Sequence, residues 1–130
     1  MAKTLSDQDY YKSESKTHPI KWVAVETLKF GKYSRASDCW SFGVLLWELF
    51  SLGNNLVFFF LQSGSAPYPD LTNSETAEKV IGGYRLGKPE KCPDQVYSLM
   101  LNCWKDSTKE RPTMSQIESF LKEFIASFNK

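Results

Sequence analysis

The sequence has few of the residues that build metal sites and disulfide frameworks. Its 130 residues include one histidine and three cysteines, Cys39, Cys92 and Cys103, with no C-x-x-C pair. A structural zinc site needs about four clustered ligands, so we expect no metal centre. An odd number of widely spaced cysteines instead indicates reduced thiols in an intracellular compartment. The one histidine, His18, lies in a polar segment before a proline, where a catalytic Ser/His/Asp set is not credible.

The sequence also lacks a charge excess and a long apolar run. Sixteen basic and fifteen acidic residues leave a formal net charge of +1, which argues against a nucleic-acid partner. The longest aliphatic and aromatic run, residues 56–61, is far too short to span a membrane. The first residues have no apolar signal core. Together these absences predict a soluble, cytoplasmic protein with no membrane span.

Aromatic residues are abundant. Four Trp, six Tyr and nine Phe make up 15% of the chain, so a hydrophobic core should be large and rich in rings. The length is that of one domain or part of one. Residues 1–18 are polar and predict an exposed segment with little structure of its own.

The strongest helical pattern covers residues 37–52. Ser37 is the predicted N-cap and Gly53 the predicted end, with Asp38 in the first turn. Almost no polar face remains, because Glu48 is the only later charge. A helix that is apolar on all sides is surrounded by protein, so its aromatic residues should need cover.

Shorter helices are predicted in the second half of the chain. The spacings of Thr72 with Glu75 and of Thr113 with Gln116 are capping boxes, each of which opens a helix. Between them, apolar residues at i, i+3, i+4 and i+7 from Val96 form one stripe. Residues 20–28 are short and apolar, and are consistent with either a strand or a helical turn. The chain therefore predicts an all-α fold of four or five helices.

Motifs that hold nucleotides are missing from this sequence. It contains no G-x-G-x-x-G and no G-K-[ST]. Residues 41–43, Ser-Phe-Gly, differ from a metal-binding Asp-Phe-Gly at the ligand position and lie inside the apolar helix, so we interpret them as core.

Six motifs nevertheless follow the order of one family. Residues 19–26, PIKWVAVE, resemble the end of a protein tyrosine kinase activation segment, and residues 37–48, SDCWSFGVLLWE, resemble the central helix of that family's lower lobe. The other four lie at residues 67–69, 92–93, 103–104 and 110–113. The resemblance implies a mainly α fold, the helical C-terminal lobe of a protein-kinase-like fold, with the N-terminal lobe and catalytic loop absent. Residues 1–26 would be the activation segment and substrate-docking loop, and 27–53 and 67–130 the helical lobe.

The resemblance assigns roles near the start of the chain. Tyr10 and Tyr11 resemble activation-loop tyrosines that become phosphorylated and order the loop against basic groups. Their alternative is two plain loop tyrosines. The platform that docks a peptide beside its target tyrosine would be formed by Pro19, Ile20, Lys21 and Trp22. An ordinary buried packing corner is the alternative interpretation of those four.

Three further residues carry structural roles in the family. Glu26 and Arg111 resemble a buried ion pair that fixes the end of the activation segment. Asp38 resembles the acid that holds the catalytic loop, and its alternative is a plain first-turn Asp. The family's Ala-Pro-Glu is Ala24-Val25-Glu26 here, which keeps the glutamate and loses a rigid turn residue.

Residues 54–66 depart from the family as an atypical insertion. The segment carries an uncharged, β-prone hexamer, a hazard for aggregation when exposed. One interpretation is a loop that folds its Phe residues onto the lobe. Another is a translated short intron or gene-model error.

The implied reaction is transfer of the ATP γ-phosphate to a peptide tyrosine. A full-length parent would use ATP and Mg²⁺, which the family binds through motifs that this sequence does not contain. We therefore expect this chain alone to bind no cofactor and to transfer no phosphate. The implied partners are tyrosine-bearing proteins or peptides, the N-terminal lobe and catalytic loop, and phosphotyrosine-binding proteins. The parent would be cytoplasmic or the intracellular part of a receptor. Alternatives are a pseudokinase or non-catalytic interaction lobe, and an unrelated helical adaptor.

Overall fold

A computed structural model describes residues 20–52 and 67–128. Within those residues the chain is helical and contains no strand, which confirms the predicted fold class. The α-helices are α1 Val25–Phe30, α2 Arg35–Leu52, α3 Asn73–Ile81, α4 Asp94–Cys103 and α5 Met114–Ser127. Two 3-10 turns, Ile20–Trp22 and Thr108–Glu110, complete the list. The insertion at residues 54–66 and the predicted end of α2 at Gly53 lie outside the described residues.

Residues 20–28, which the sequence left open, form a 3-10 turn followed by the start of α1. The N–H of Val23 donates to the carbonyl of Ile20, which closes the turn. Helix α1 then ends at Gly31, whose φ of 70° is the left-handed conformation that glycine adopts without a steric penalty. The apolar stretch is thus a tight corner that leads directly into a short helix.

The start of α2 lies three residues before the predicted one. Ser34 is the residue that precedes the helix, and its Oγ accepts from the N–H groups of Ala36 and Ser37. Ser37 is the third helical residue, and its Oγ accepts from the N–H of Ser34 at 2.7 Å. The prediction of Ser37 as the N-cap is therefore wrong. Both serines take part in one reciprocal cap, with Ser37 in the place that Glu or Gln usually holds.

Helices α3 and α5 begin as predicted. In each capping box the threonine hydroxyl accepts from the N–H three residues later, and the Glu75 or Gln116 side chain accepts from the threonine N–H. The predicted stripe on α4 is also confirmed, because all four of its members are buried: Val96, Leu99, Met100 and Cys103.

The core lies where α2 packs along α4. Gly43 allows the close approach, since a Cβ there would lie 2.9 Å from the Cys103 Cβ and 2.8 Å from the Trp104 Nε1. Trp40, one turn earlier, is 1% exposed. A core rich in rings was predicted from composition, and the Trp40 indole lies fully buried within that core.

One face of α2 has no cover within the described residues. Leu45 is 46% exposed and Leu49 is 53% exposed. The expectation that the aromatic residues of this helix need cover is wrong for the described structure, because Trp40 is buried and Phe42, Trp47 and Phe50 pack partly buried against the core. The exposed apolar residues of α2 are leucines. None of the helices in the described parts of the chain combines the length and apolarity needed to cross a membrane.

Candidate functional site

Glu26 on α1 and Arg111, before α5, form a bidentate ion pair. The Arg111 Nη2 lies 2.6 Å from Glu26 Oε1, and its Nη1 lies 2.9 Å from Oε2. The Arg111 side chain is completely buried and that of Glu26 is 15% exposed. Arg111 also donates to the carbonyls of Lys105 and Ala36. The guanidinium therefore joins α1, the start of α2 and the loop before α5.

Two guanidinium groups contact the Trp40 ring. The Arg111 guanidinium carbon is 5.1 Å from the Trp40 ring centroid, and that of Arg85 is 4.7 Å away. Both distances are in the range of a cation–π contact. Arg85 donates to the carbonyls of Trp104 and Val80 and pairs with Asp106 at 2.8 Å. The stack links the Glu26 ion pair to the segment between α3 and α4.

The turn Ile20–Trp22 is held to two other elements by side-chain hydrogen bonds. The Trp22 Nε1 donates to Glu48 Oε1 at 2.8 Å. The Ser41 hydroxyl donates to the Trp22 carbonyl, also at 2.8 Å. The Lys21 Nζ donates to the carbonyl of Tyr68 at 3.1 Å. The turn is thus tied both to α2 and to the loop before α3.

Tyr68, the acceptor of the Lys21 bond, has an uncommon backbone conformation. Its φ of 52° lies in the left-handed region, which a bulky residue seldom adopts. The side chain is 5% exposed, and burial raises the pKa of its hydroxyl to about 12 although nearby Arg85 acts to lower it. This phenol is therefore neutral at physiological pH and behaves as a packing group.

Asp38 stands at the edge of a cavity of about 200 Å³. Trp22, Val23 and Ala24 line it together with Ser37, Asp38 and Ser41 of α2. Asp38 is exposed. The space between the turn Ile20–Trp22 and the first turns of α2 is therefore open and carries a carboxylate at its rim.

Val25 occupies the position of the family's proline. It is the first residue of α1, where proline is favoured because the N–H has no helical partner. Ala24 precedes it with φ −67° and ψ 155°, the extended conformation that a residue before proline also adopts. The backbone here keeps a proline-compatible shape with valine in that place.

The three cysteines are free and buried. Burial raises the pKa of Cys103 to about 12, and it also raises the pKa values of Cys39 and Cys92. A protonated thiol is a poor nucleophile and a poor metal ligand. Across residues 20–52 and 67–128, no group of three or more His, Cys, Asp or Glu could hold a metal ion. The three thiols are therefore packing groups, since Mg²⁺ prefers oxygen ligands.

The structure brings together most of the residues singled out from the sequence. Ile20, Lys21 and Trp22 form the turn described above, Glu26 and Arg111 are paired, and Asp38 lines the same cavity as Trp22. Tyr10, Tyr11 and Pro19 lie outside the described residues. Sequence reasoning missed the contacts of Ser41 and Glu48 with Trp22. One signal was present, since a lone carboxylate on an apolar helix needs a partner.

Two comparisons with known proteins identify the family of this chain. The sequence profile of the protein tyrosine and serine/threonine kinase family matches residues 1–121. Tyrosine-protein kinase Fer of Rattus norvegicus is 42% identical over 112 residues, which is 86% of this chain. The matched stretch is 12% of the length of that relative. The chain belongs to the protein tyrosine and serine/threonine kinase family, and it resembles the tyrosine-directed members.

Proposed function

We propose that this chain is the peptide-docking part of a protein tyrosine kinase. The observation that carries the proposal is the tethered turn Ile20–Trp22, whose orientation is set by α2 and by the loop at Tyr68. The Glu26–Arg111 pair fixes α1 directly behind that turn. A kinase needs a rigid docking surface at the end of its activation segment, because the peptide hydroxyl must be held in line with the transferred phosphate.

Asp38 is the anchor for the catalytic loop in this proposal. Its exposed carboxylate faces an open space that is large enough to admit backbone from another segment. A carboxylate that accepts backbone N–H groups forms charge-assisted hydrogen bonds, which are roughly twice as strong as neutral ones. Leu45 and Leu49 follow Asp38 by seven and eleven residues, so they lie on the same face of α2. Both are exposed here, and the segment that carries the catalytic loop would cover them in the whole kinase.

ATP and Mg²⁺ belong to the parent kinase, and the chain's own residues act on the peptide. Phosphoryl transfer therefore requires the family's nucleotide-binding motifs, which this sequence lacks. Tyr10 and Tyr11 are the proposed phosphorylation sites, and phosphorylated forms would attract phosphotyrosine-binding proteins. We place the parent inside the cell, where reduced cysteines persist.

A chimaeric kinase tests the proposal. In it, this chain replaces the segment of rat Fer that it matches, and a second version omits residues 54–66. We expect at least one version to phosphorylate a tyrosine peptide and to leave the same peptide with phenylalanine unmodified. A version with the Fer-derived catalytic aspartate changed to asparagine controls for contaminating kinases.

Two outcomes would overturn the proposal. A chimaera that melts cooperatively and binds ATP, yet transfers no phosphate, would favour a non-catalytic interaction lobe. ATP-dependent tyrosine phosphorylation by the purified 130-residue chain, free of other kinases, would contradict its assignment as the docking part alone.

A further inference from the structure

The end of α1 exposes an aromatic ring that two lysines contact. Phe30, the last residue of the helix, is 65% exposed. The Lys29 Nζ lies 5.6 Å from the Phe30 ring centroid, and the Lys32 Nζ lies 5.8 Å from it. Both distances are in the range of a cation–π contact. Two ammonium groups are thus held beside one ring, and the ring itself remains open to solvent.

The backbone that carries these side chains is fixed by Thr27, which is completely buried. Its hydroxyl donates to the carbonyl of Lys32, and its carbonyl accepts from the N–H of Gly31. Gly31 has a φ of 70°, so the chain reverses there and brings Lys32 back beside Phe30. A surface whose backbone is already ordered loses less conformational entropy when a partner binds.

The positive charge of this loop has no partner of opposite sign within the described part of the chain. Residues 27–37 contain three basic residues and no acidic one. None of the ion pairs among the described residues includes any of the three. The carboxylate that precedes the loop, that of Glu26, is already engaged by Arg111. All three basic residues are exposed: Lys29, Lys32 and Arg35.

The chemistry of the loop favours an acidic protein segment over other anionic partners. Anionic membranes are recognised by clusters of about four to eight basic residues, and the loop has fewer. Nucleic-acid binding needs a basic excess, whereas the net charge of the chain is +1. A peptide with carboxylates on both sides of an apolar side chain complements both the basic groups and the exposed ring.

We infer that Lys29, Phe30, Lys32 and Arg35, which we call the basic loop, form a docking surface for an acidic segment of a partner protein. Carboxylates of that segment pair with the lysines and with Arg35, and an apolar side chain packs on Phe30. The basic loop follows the end of α1, whereas the turn Ile20–Trp22 precedes its start. The surface is therefore separate from the proposed peptide-docking turn, and the inference does not require an active kinase.

The test measures the binding of labelled peptides to the 130-residue chain by fluorescence anisotropy. The probes are peptides of about twelve residues, rich in Asp and Glu, with one central Phe and several spacings of the carboxylates. Their control peptides carry Asn and Gln in place of Asp and Glu.

Two variants of the chain remove the basic loop's charge and its ring. The first combines Lys29→Met with Lys32→Met, and the second is Phe30→Ala. The matched control combines Lys91→Met with Lys122→Met, because it removes the same charge from exposed lysines in other parts of the chain. Circular dichroism checks that each variant is folded, which we expect because the substituted residues are exposed.

We expect at least one acidic peptide to bind the chain, and its amide control to bind about tenfold more weakly. Loss of both Lys29 and Lys32 should weaken binding about tenfold, because two exposed ion pairs are lost. Phe30→Ala should weaken it by about the same factor, since an aromatic side chain often carries much of the binding energy of an interface. The Lys91 and Lys122 control should bind like the original chain.

Four results would overturn the inference. The first is that no acidic peptide binds, and the second is that the Lys29 and Lys32 variant binds as well as its control. The third is that vesicles of phosphatidylserine and phosphatidylcholine bind the chain through these lysines while the acidic peptides do not. The fourth is self-association of the chain, measured by analytical ultracentrifugation, that the same variant abolishes, because the occupant would then be a second copy.

Lysine acetylation of the unsubstituted chain gives a second readout that needs no variant to fold. A bound acidic peptide should lower the acetylation rates of Lys29 and Lys32 relative to that of Lys91, as measured by mass spectrometry. Unchanged rates at Lys29 and Lys32 with a peptide that binds would place that peptide elsewhere on the chain and contradict the inference.

Discussion

The two sides of α2 differ in how far the described residues of this chain bury their side chains and pair their charges. On the side of Trp40, the Arg111 guanidinium donates to Glu26, Lys105 and Ala36, and the ring that both arginines contact is buried. On the side of Asp38, the chain presents an exposed carboxylate, a cavity, and two leucines that are about half exposed.

This contrast separates the roles of the two sides. Buried charges persist in folded proteins only where they are paired. Arg111, Glu26 and Trp40 therefore form a structural frame, and the chain should need all of its contacts in order to fold. Exposed apolar residues next to a carboxylate mark a surface that another segment covers. Substitutions should therefore be costly in the isolated chain on the first side, and costly only in an assembled kinase on the second.

The largest effect is expected from Arg111→Met. It removes the partner of Glu26, whose side chain is 15% exposed, and leaves a largely buried carboxylate uncompensated. We expect the free energy of unfolding, measured by urea denaturation of the chain, to fall by about 3–5 kcal/mol.

Lys122→Met is the matched control for Arg111→Met, because the Lys122–Glu118 pair is exposed on both sides. Its loss should cost about 0.5 kcal/mol or less. Similar losses for the two variants would remove the distinction between a completed frame and ordinary surface.

The second effect concerns the contact between α2 and α4. In Gly43→Ala the new methyl group would lie within 3 Å of Cys103 and Trp104. We expect a loss of about 1–3 kcal/mol from overpacking, measured by the same urea transition. Gly87→Ala has open space around its Cβ position and should change stability by less than about 0.5 kcal/mol. A neutral Gly43→Ala would mean that the two helices separate without penalty.

The parts of this frame differ in how far the sequence could predict them. Capping boxes at Thr72 and Thr113 were predictable because donor and acceptor are three residues apart. The start of α2 was misplaced because Ser34 and Ser37 are both good caps by residue type, and only the backbone decides which of them precedes the helix. The Glu26–Arg111 pair was reached through the family resemblance. The stack of Arg85 on Trp40 joins residues far apart in sequence and leaves no local signal.

The candidate docking site shows the same limit. The turn Ile20–Trp22 was located from its motif, although its anchors on α2 were not. Glu48 stood out as the only late charge of an apolar helix, but the residue it would contact lies 26 positions away. The periodicity of a helical sequence predicts on which face a residue lies. Only the packed structure shows which residues contact that face.

A smaller effect is expected at the start of α1, which follows the turn Ile20–Trp22. Val25→Pro restores the family's proline at the first residue of α1, where the backbone is already compatible with it. We expect a gain in stability of about 0.4–1 kcal/mol, because proline restricts the unfolded chain. Val25→Ala is the control, since it removes apolar contacts without adding the ring. A Val25→Pro variant that is no more stable than Val25→Ala would show that the valine packs too tightly to replace.

The smallest effect on the isolated chain is expected on the open side, from Asp38→Asn. Asp38 is exposed, so the free energy of unfolding should change by less than about 0.5 kcal/mol. In the chimaera with rat Fer the same change should lower kcat about tenfold, because the neutral side chain holds the catalytic loop with weaker hydrogen bonds. Asp94→Asn, also exposed at a helix start, should leave both quantities unchanged. If Asp38→Asn destabilises the chain and the chimaera equally, Asp38 belongs to the frame. The side of α2 that carries it would then not be a surface that another kinase segment covers.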